Sequence, residues 1–170
     1  MNIFQKFFFL FFLIISKFLF AQNENEFREA FTLKIAVDST TFYQQEIAKS
    51  KYFVKDNILQ IYPGEHLFIE TEVKDDKIQT MKIVKENKNP LKTIEIEFYQ
   101  EVSGRQNKGM TLSVSNPFDK NLNYDAIINV VGKKGWFETS IIPIKPKLKN
   151  FEMWPQPIIT IVLNNWRFDK

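Results

Sequence analysis

Apolar and polar residues alternate with a period of two along most of this chain, and the clearest runs lie in its second half. Residues 110–115 alternate in this way, residues 116–118 (Asn-Pro-Phe) interrupt the pattern, and residues 122–130 resume it. A Gly-Lys-Lys-Gly stretch at 132–135 then precedes a further short run at 136–140. A period of two is typical of a half-buried strand, while glycine, proline and asparagine mark turns. This segment therefore predicts three successive antiparallel strands that pair beside one another.

Shorter runs of the same kind predict further strands. We expect a hairpin at 67–84, which turns at Asp75-Asp76, and single strands at 31–37, 58–61, 94–99 and 159–168. The polar residues 103–109 predict an exposed loop, because glycines lie near both ends. Prolines crowd residues 143–157. Because proline lacks a backbone N–H, this part is expected to form an edge strand or a connection that crosses between sheets.

Residues 41–51 fit two interpretations. Thr41 and Gln44 have the spacing of a helix-capping box, and Tyr43 lies four residues before Ile47, as on one face of a helix. An irregular strand fits equally well. The sequence leaves a short helix and a strand both open here.

These elements predict an all-β fold of about eight or nine strands with at most one short helix. The simplest architecture is an antiparallel two-sheet β-sandwich, in which each strand gives its alternate apolar side chains to one shared core. An immunoglobulin-like topology is our first choice within this class. A small outer-membrane β-barrel is an alternative that the length allows, although uneven strand lengths and the proline-rich segment argue against it.

The first 21 residues differ from the rest and predict a cleaved signal peptide. Lys6 gives a positive start, residues 7–15 are an unbroken apolar run, and Ala21 is a small residue suited to cleavage. Ser16 and Lys17 interrupt the run before it reaches the roughly 20 apolar residues that a membrane-spanning helix needs. A cleaved leader at 1–21 is therefore favoured over a membrane anchor.

The remaining residues, 22–170, are predicted to form a single domain, exported to the periplasm or the cell exterior and without a transmembrane segment. The chain has no cysteine, so disulfides do not contribute to its stability. Two of the 23 basic residues lie in the leader, so the rest nearly balances the 20 acidic residues. Nucleic acid is therefore not an expected partner, because its recognition relies on a basic surplus.

Residues that bind metal ions are scarce. The chain has one histidine, His66, and no thiol, so it carries no zinc-ligand pattern. Glu72, Asp75 and Asp76 offer the oxygen atoms that calcium prefers, but two adjacent aspartates are more typical of a solvated turn. We expect no metal site and no cofactor.

Catalytic patterns are equally scarce. None of the serines lies in a Gly-x-Ser-x-Gly elbow, which a serine hydrolase would place near His66. Glu95 and Glu97 would stand about 7 Å apart on one strand face, a spacing that two-carboxylate glycosidases use but that exposed strands also show by default. The sequence therefore predicts a protein that is not an enzyme.

Aromatic residues are the strongest candidates for a binding surface. Trp136 flanks a predicted strand, and Phe151 and Trp154 lie in the proline-rich region. Exposed tryptophan in a secreted sandwich stacks on sugar rings or anchors a protein partner. The competing interpretation is that tryptophans near strand ends cap the core. We take Trp136, Phe151 and Trp154 as candidate binding residues.

Several short motifs carry a family resemblance: Phe20-Ala21-Gln22, Asn116-Pro117-Phe118, Leu122-x-Tyr124-x-Ala126, Thr139-Ser140 and Glu152-x-Trp154-Pro155. With these motifs the chain resembles uncharacterised secreted immunoglobulin-like proteins of flavobacterial type. The resemblance implies export and a sandwich, and it implies no activity or site. The leading hypothesis is an exported, non-enzymatic binding or envelope-associated module with a protein or glycan partner. A carbohydrate-binding protein that uses exposed tryptophans is the first alternative.

Overall fold

The computed structural model describes residues 24–169, so the predicted signal peptide lies outside the described residues. The described part is all-β, with fourteen strands and a single 3₁₀ turn, Glu24–Glu26. In chain order the strands are β1 (Phe27–Arg28), β2 (Phe31–Ala36), β3 (Phe42–Ile47), β4 (Ser50–Lys51), β5 (Phe53–Lys55), β6 (Ile58–Ile61), β7 (Glu65–Lys74), β8 (Lys77–Val84), β9 (Thr93–Ser103), β10 (Gln106–Ser115), β11 (Leu122–Val130), β12 (Phe137–Thr139), β13 (Lys149–Trp154) and β14 (Ile158–Phe168).

Two five-stranded antiparallel sheets contain most of these strands. The first sheet has the order β13-β10-β9-β7-β8, and the second has the order β12-β11-β14-β6-β5. Both sheets are open, so the described strands do not close into the barrel that the sequence left as an alternative. The strands outnumber the eight or nine expected because β1, β4 and β5 are too short for a period of two to be visible, and because β3 lies in the segment left open between helix and strand.

One face of each sheet, called the inner face, supplies the core. Leu112, Tyr124, Ile128 and Ile161 lie at alternate positions of the predicted strands, and all four are buried in one cluster. Strands β10 and β11 show the pattern most clearly, since their inward positions are apolar and their outward positions are mostly polar. The prediction of an antiparallel fold with two sheets is confirmed.

Strands β10 and β11 do not pair, contrary to the prediction of three adjacent strands. They belong to different sheets, and only β11 and β12 form the expected neighbours. Residues 116–118 cross between the layers because the buried Asn116 side chain binds the main chain there. Its Nδ2 donates to the carbonyls of Lys120 and Ile144 at 2.7 and 2.8 Å, and its Oδ1 accepts from the Phe118 N–H at 2.9 Å.

Residues 41–51 form strands rather than a helix. Strand β3 pairs with β2 as a hairpin, and β4 pairs with β1. The hairpin buries Leu33, Ile35 and Ile47 in a second, smaller apolar cluster. The side chain of Gln100 accepts a hydrogen bond from the Ala36 N–H at 2.9 Å and donates to the Ala36 carbonyl at 2.7 Å, which attaches the hairpin to the first sheet.

Residues 103–109 form a tight hairpin rather than an exposed loop. Strand β9 ends at Ser103 and β10 begins at Gln106, so only two residues make the turn. Gly104 has a φ of 62°, which suits a tight turn, and the register shifts between Asn107 and Gly109. The polar composition reflects exposure on both sides of a projecting hairpin, and it does not mark the end of the strands.

The proline-rich region forms a crossing connection and an edge strand, as predicted. Residues 143–148 cross from the second sheet to the first, and β13 is an edge strand. Strand β14 then returns to the second sheet and lies between β11 and β6. The chain thus inserts its last strand at the centre of a sheet. Within residues 24–169, no helix has the length and apolar character needed to cross a bilayer.

Glu70 on β7 fixes the loop that joins β8 to β9. Its carboxylate lies 3.0 Å from Lys82 Nζ and 3.3 Å from Lys92 Nζ, and it accepts a hydrogen bond from the side-chain amide of Asn89. The Asn89 hydrogen bond, followed by that of Lys82, lowers the pKa of Glu70 from 4.5 to about 2. The loop is therefore attached to the sheet through an ionised carboxylate.

Candidate functional site: a polar groove between β11 and β12

Phe151 and Trp154 lie three residues apart on β13, so their side chains point to opposite faces of the first sheet. Phe151 is on the outer face and is 54% exposed. Trp154 turns inward, packs against the core and donates from Nε1 to Thr139 Oγ1 at 2.9 Å. This hydrogen bond joins the edges of the two sheets. Phe151 and Trp154 therefore do not share a surface.

Trp136 lies on the second sheet's side of the molecule, in the loop between β11 and β12. Its side chain is 48% exposed. The loop is held on the sheet because Asn129 Nδ2 donates to the Gly135 carbonyl at 2.9 Å. Glu138 follows Trp136 by two residues, which is about 7 Å along an extended chain. Trp136 therefore lies directly before the first residue of β12.

A groove opens where β12 separates from β11. The two strands pair at Ala126 and Thr139, and the chain returns to β11 only at a single bridge between Leu122 and Ile144. The segment from Thr139 to Ile144 is one residue longer than the opposite part of β11, from Leu122 to Ala126. This segment, called the departing segment, therefore bows away from β11. The cavity that results has a volume of about 480 Å³.

Polar side chains dominate the groove. Its outward-facing members carry amide, carboxylate, hydroxyl and guanidinium groups: Asn123, Asp125, Glu138, Ser140, Asn164 and Arg167. They come from three different strands and one connecting segment of the second sheet. Donors and acceptors thus face the same space from both sides.

Asp125 is held as an ionised acceptor within the groove. Its Oδ2 accepts from Asn165 Nδ2 at 2.8 Å, and its Oδ1 lies 2.8 Å from Arg167 NH1. The Asn165 hydrogen bond and the Arg167 guanidinium lower the pKa of Asp125 below its usual 3.8. Because Arg167 also donates to the Asn165 carbonyl at 2.8 Å, its guanidinium is fixed in place.

Asn123 completes the wall that β11 forms. Its Oδ1 accepts the Tyr124 N–H at 2.9 Å, which satisfies a main-chain donor that faces the gap left by the departing segment. Its Nδ2 contacts Asp169 Oδ1 at 3.3 Å. The groove can therefore stay open to water without leaving this donor unpaired.

The catalytic and metal hypotheses gain no support from these positions. His66 Nε2 contacts Glu95 Oε1 at 2.8 Å on the outer face of the first sheet. Ser113 lies on β10, and β9 separates β10 from the β7 strand of His66, a distance of about 10 Å. Asp75 and Asp76 have φ angles of 51° and 58°, as in a tight hairpin turn. Residues 24–169 contain no group of three or more potential metal ligands.

Arg28 is a feature that no sequence pattern revealed. Its side chain is 2% exposed, and its Nε lies 2.7 Å from Glu65 Oε1. The guanidinium carbon lies 4.6 Å from the ring centre of Tyr52 and 4.9 Å from that of Tyr62. NH2 also donates to the Gln60 carbonyl at 2.6 Å. These contacts attach β1 to the sandwich, and burial raises the pKa of both tyrosines.

A more apolar depression lies between Val73, Leu91 and Phe118, and its volume is about 770 Å³. The Thr71 hydroxyl within it already donates to the Lys92 carbonyl at 2.8 Å. The lining of this depression is more apolar than that of the groove, so it is less suited to a polar ligand.

Comparisons of the chain with protein-family models, with curated proteins and with solved structures find no match. The resemblance to secreted immunoglobulin-like proteins therefore stays a prediction.

Proposed function

We propose that this chain is an exported, non-enzymatic binding protein, and that the groove between β11 and β12 binds carbohydrate. One observation carries the proposal: amide, carboxylate, hydroxyl and guanidinium groups line the groove, and the exposed Trp136 precedes the lining residue Glu138 by two positions. Export follows from the predicted leader at 1–21. An immunoglobulin-like strand arrangement belongs to the same proposal.

Sugar hydroxyls both donate and accept hydrogen bonds, so a carbohydrate site needs both kinds of partner. Asp125 and Glu138 supply acceptors, and Arg167 and Asn164 supply donors. Because Arg167 and Asp125 are already oriented by Asn165, little side-chain freedom is lost when a ligand binds. The indole of Trp136 adds an apolar face on which a sugar ring packs.

Asp125 fits a role in binding better than the role of general acid in hydrolysis. A glycosidase needs one carboxylic acid that keeps its proton near neutral pH, and this requires a raised pKa. The pKa of Asp125 is shifted in the opposite direction by Asn165 and Arg167. Asp125 therefore serves as an acceptor and not as a proton donor.

The test is binding of purified residues 22–170 to a panel of bacterial and plant polysaccharides, measured by affinity electrophoresis and then by calorimetry. We expect Trp136→Ala and Asn164→Ala each to weaken binding about fivefold or more, because stacking and hydrogen bonding each contribute about 1 kcal/mol or more. Phe42→Ala is the matched control, since Phe42 is an exposed aromatic on β3 and does not line the groove. Equal losses in Trp136→Ala and Phe42→Ala, or no binding to any polysaccharide, would overturn the carbohydrate assignment.

A further inference from the structure

The edge strand β13 has an apolar outer face that no described strand covers. Phe151 is 54% exposed and Met153 is 63% exposed, and Lys149 is the one charged residue of β13 on that face. Exposed edge strands are usually protected by inward charges, bulges or proline. Residues 150–154 carry no proline, and their register with β10 has no bulge. This edge is therefore suited to pair with another strand.

The hydrogen-bond phase of β13 identifies which backbone groups are free. The Asn116 N–H donates to the Leu148 carbonyl at 2.8 Å, and these residues continue the direct register of β10 and β13. In an antiparallel ladder, backbone groups point alternately to the two sides of a strand. The backbone N–H and carbonyl groups of Asn150 and Glu152 therefore point to β10. Those of Lys149, Phe151 and Met153 point away from β10, to the free edge of the sheet.

We propose that β13 pairs with β13 of a second copy of this chain about a two-fold axis at Phe151. In this register Phe151 faces its equivalent, and Lys149 faces Met153 of the second copy. Every outward N–H and carbonyl of these three residues then gains a partner, because all of them fall in hydrogen-bonded pairs. The two first sheets become one continuous sheet.

Side-chain chemistry supports this register and this partner. The two Phe151 rings meet on the outer face, and the methylenes of Lys149 lie beside Met153. On the inner face, Asn150 lies opposite Glu152 of the second copy, so no like charges meet there. Both side chains are held within their own chain, since Glu152 Oε1 accepts from the Ile142 N–H at 3.1 Å and from Asn150 Nδ2 at 3.0 Å.

A neighbouring register is disfavoured by charge. If the axis passed through Glu152, the two Glu152 carboxylates would face each other, and like charges directly opposite are destabilising. That register would also place Lys149 opposite Pro155, which cannot donate a hydrogen bond. The dimer inference does not depend on the carbohydrate proposal, because it rests on the first sheet alone.

The absence of cysteine from the chain allows a direct cross-linking test. In the proposed dimer the two Phe151 Cα atoms lie about 5.5 Å apart, within the range that a disulfide spans. We expect Phe151→Cys to form a covalent dimer under mild oxidation at least tenfold faster than Leu91→Cys. Leu91 is the control because it is 76% exposed and lies in the loop before β9.

The second measurement is the molar mass of residues 22–170 by sedimentation equilibrium. We expect a mass twice that of one chain. Phe151→Pro should be monomeric with an unchanged far-ultraviolet spectrum, because the N–H that it loses points away from β10. A monomer at every concentration, or cross-linking of Phe151→Cys no faster than that of Leu91→Cys, would overturn the proposal. Faster cross-linking of Glu152→Cys than of Phe151→Cys would overturn the register.

Discussion

Replacing Arg28 by alanine tests whether the buried ion pair holds β1 on the sandwich. The substitution removes the guanidinium from between Tyr52 and Tyr62 and leaves the Glu65 carboxylate without its cation. Arg28 and Glu65 side chains are only 2% and 12% exposed, so water cannot fully replace the lost contacts. Breaking a buried pair by removing one partner costs about 3–5 kcal/mol.

This cost is large relative to the whole stability, which is about 5–15 kcal/mol for a domain of this kind. With a urea dependence of about 2 kcal/mol per molar, a loss of 4 kcal/mol shifts the unfolding midpoint down by about 2 M. Tryptophan fluorescence during urea unfolding measures this shift, since Trp166 is buried.

Two further variants make the experiment decisive. Lys49→Ala breaks an exposed ion pair, in which the Lys49 side chain is 58% exposed and the Glu29 side chain is 78% exposed. We therefore expect the free energy of unfolding to fall by less than about 1 kcal/mol. The double variant Arg28→Met with Glu65→Leu removes both charges and should recover most of the stability lost by Arg28→Ala. A midpoint for Arg28→Ala within error of that for Lys49→Ala would refute the reasoning.

Two other predictions concern Asn116 and Glu70. Asn116→Ala should lower the free energy of unfolding by about 1–3 kcal/mol in a thermal unfolding assay, because it removes the hydrogen bonds of a buried side chain. The exposed Asn87→Ala should cost less than about 0.5 kcal/mol in the same assay. The folded-state pKa of Glu70, about 2, lies below its usual 4.5, so its stabilising effect is complete above pH 4.5 and is lost as the pH falls toward 2. Melting temperatures measured across this range should fall less steeply for Glu70→Gln than for the native chain, and parallel curves would contradict the assignment.

The long strands were predictable because burial of one face imposes a period of two on the sequence. Strand β11 begins and ends at the predicted residues, 122 and 130, and β13 is the edge strand that the prolines indicated. The pairing of β10 with β11 was wrong because the Asn116 side chain decides the direction of the chain. Its partners Ile144 and Lys145 are almost thirty residues away, and a local pattern does not contain them.

The groove and the Arg28 site were not predictable for a related reason. The groove exists because the segment between Thr139 and Ile144 is one residue longer than the opposite part of β11, which is a property of register. Arg28 looked like an ordinary charged residue near the leader, because Glu65 and Tyr62 approach it only in the folded chain. Of the aromatic candidates, Trp154 donates a hydrogen bond to the groove residue Thr139, Trp136 precedes the groove residue Glu138 by two positions, and Phe151 lies on the outer face of the other sheet.

The position of β14 bears on how the molecule is made. Its neighbours β11 and β6 pair with opposite sides of it, so without β14 the layer that contains them is split into two parts, β12-β11 and β6-β5. That layer is joined only when residues 158–168 enter it. Truncation before residue 158 would therefore remove the middle of one layer and leave every strand of the other layer in the chain.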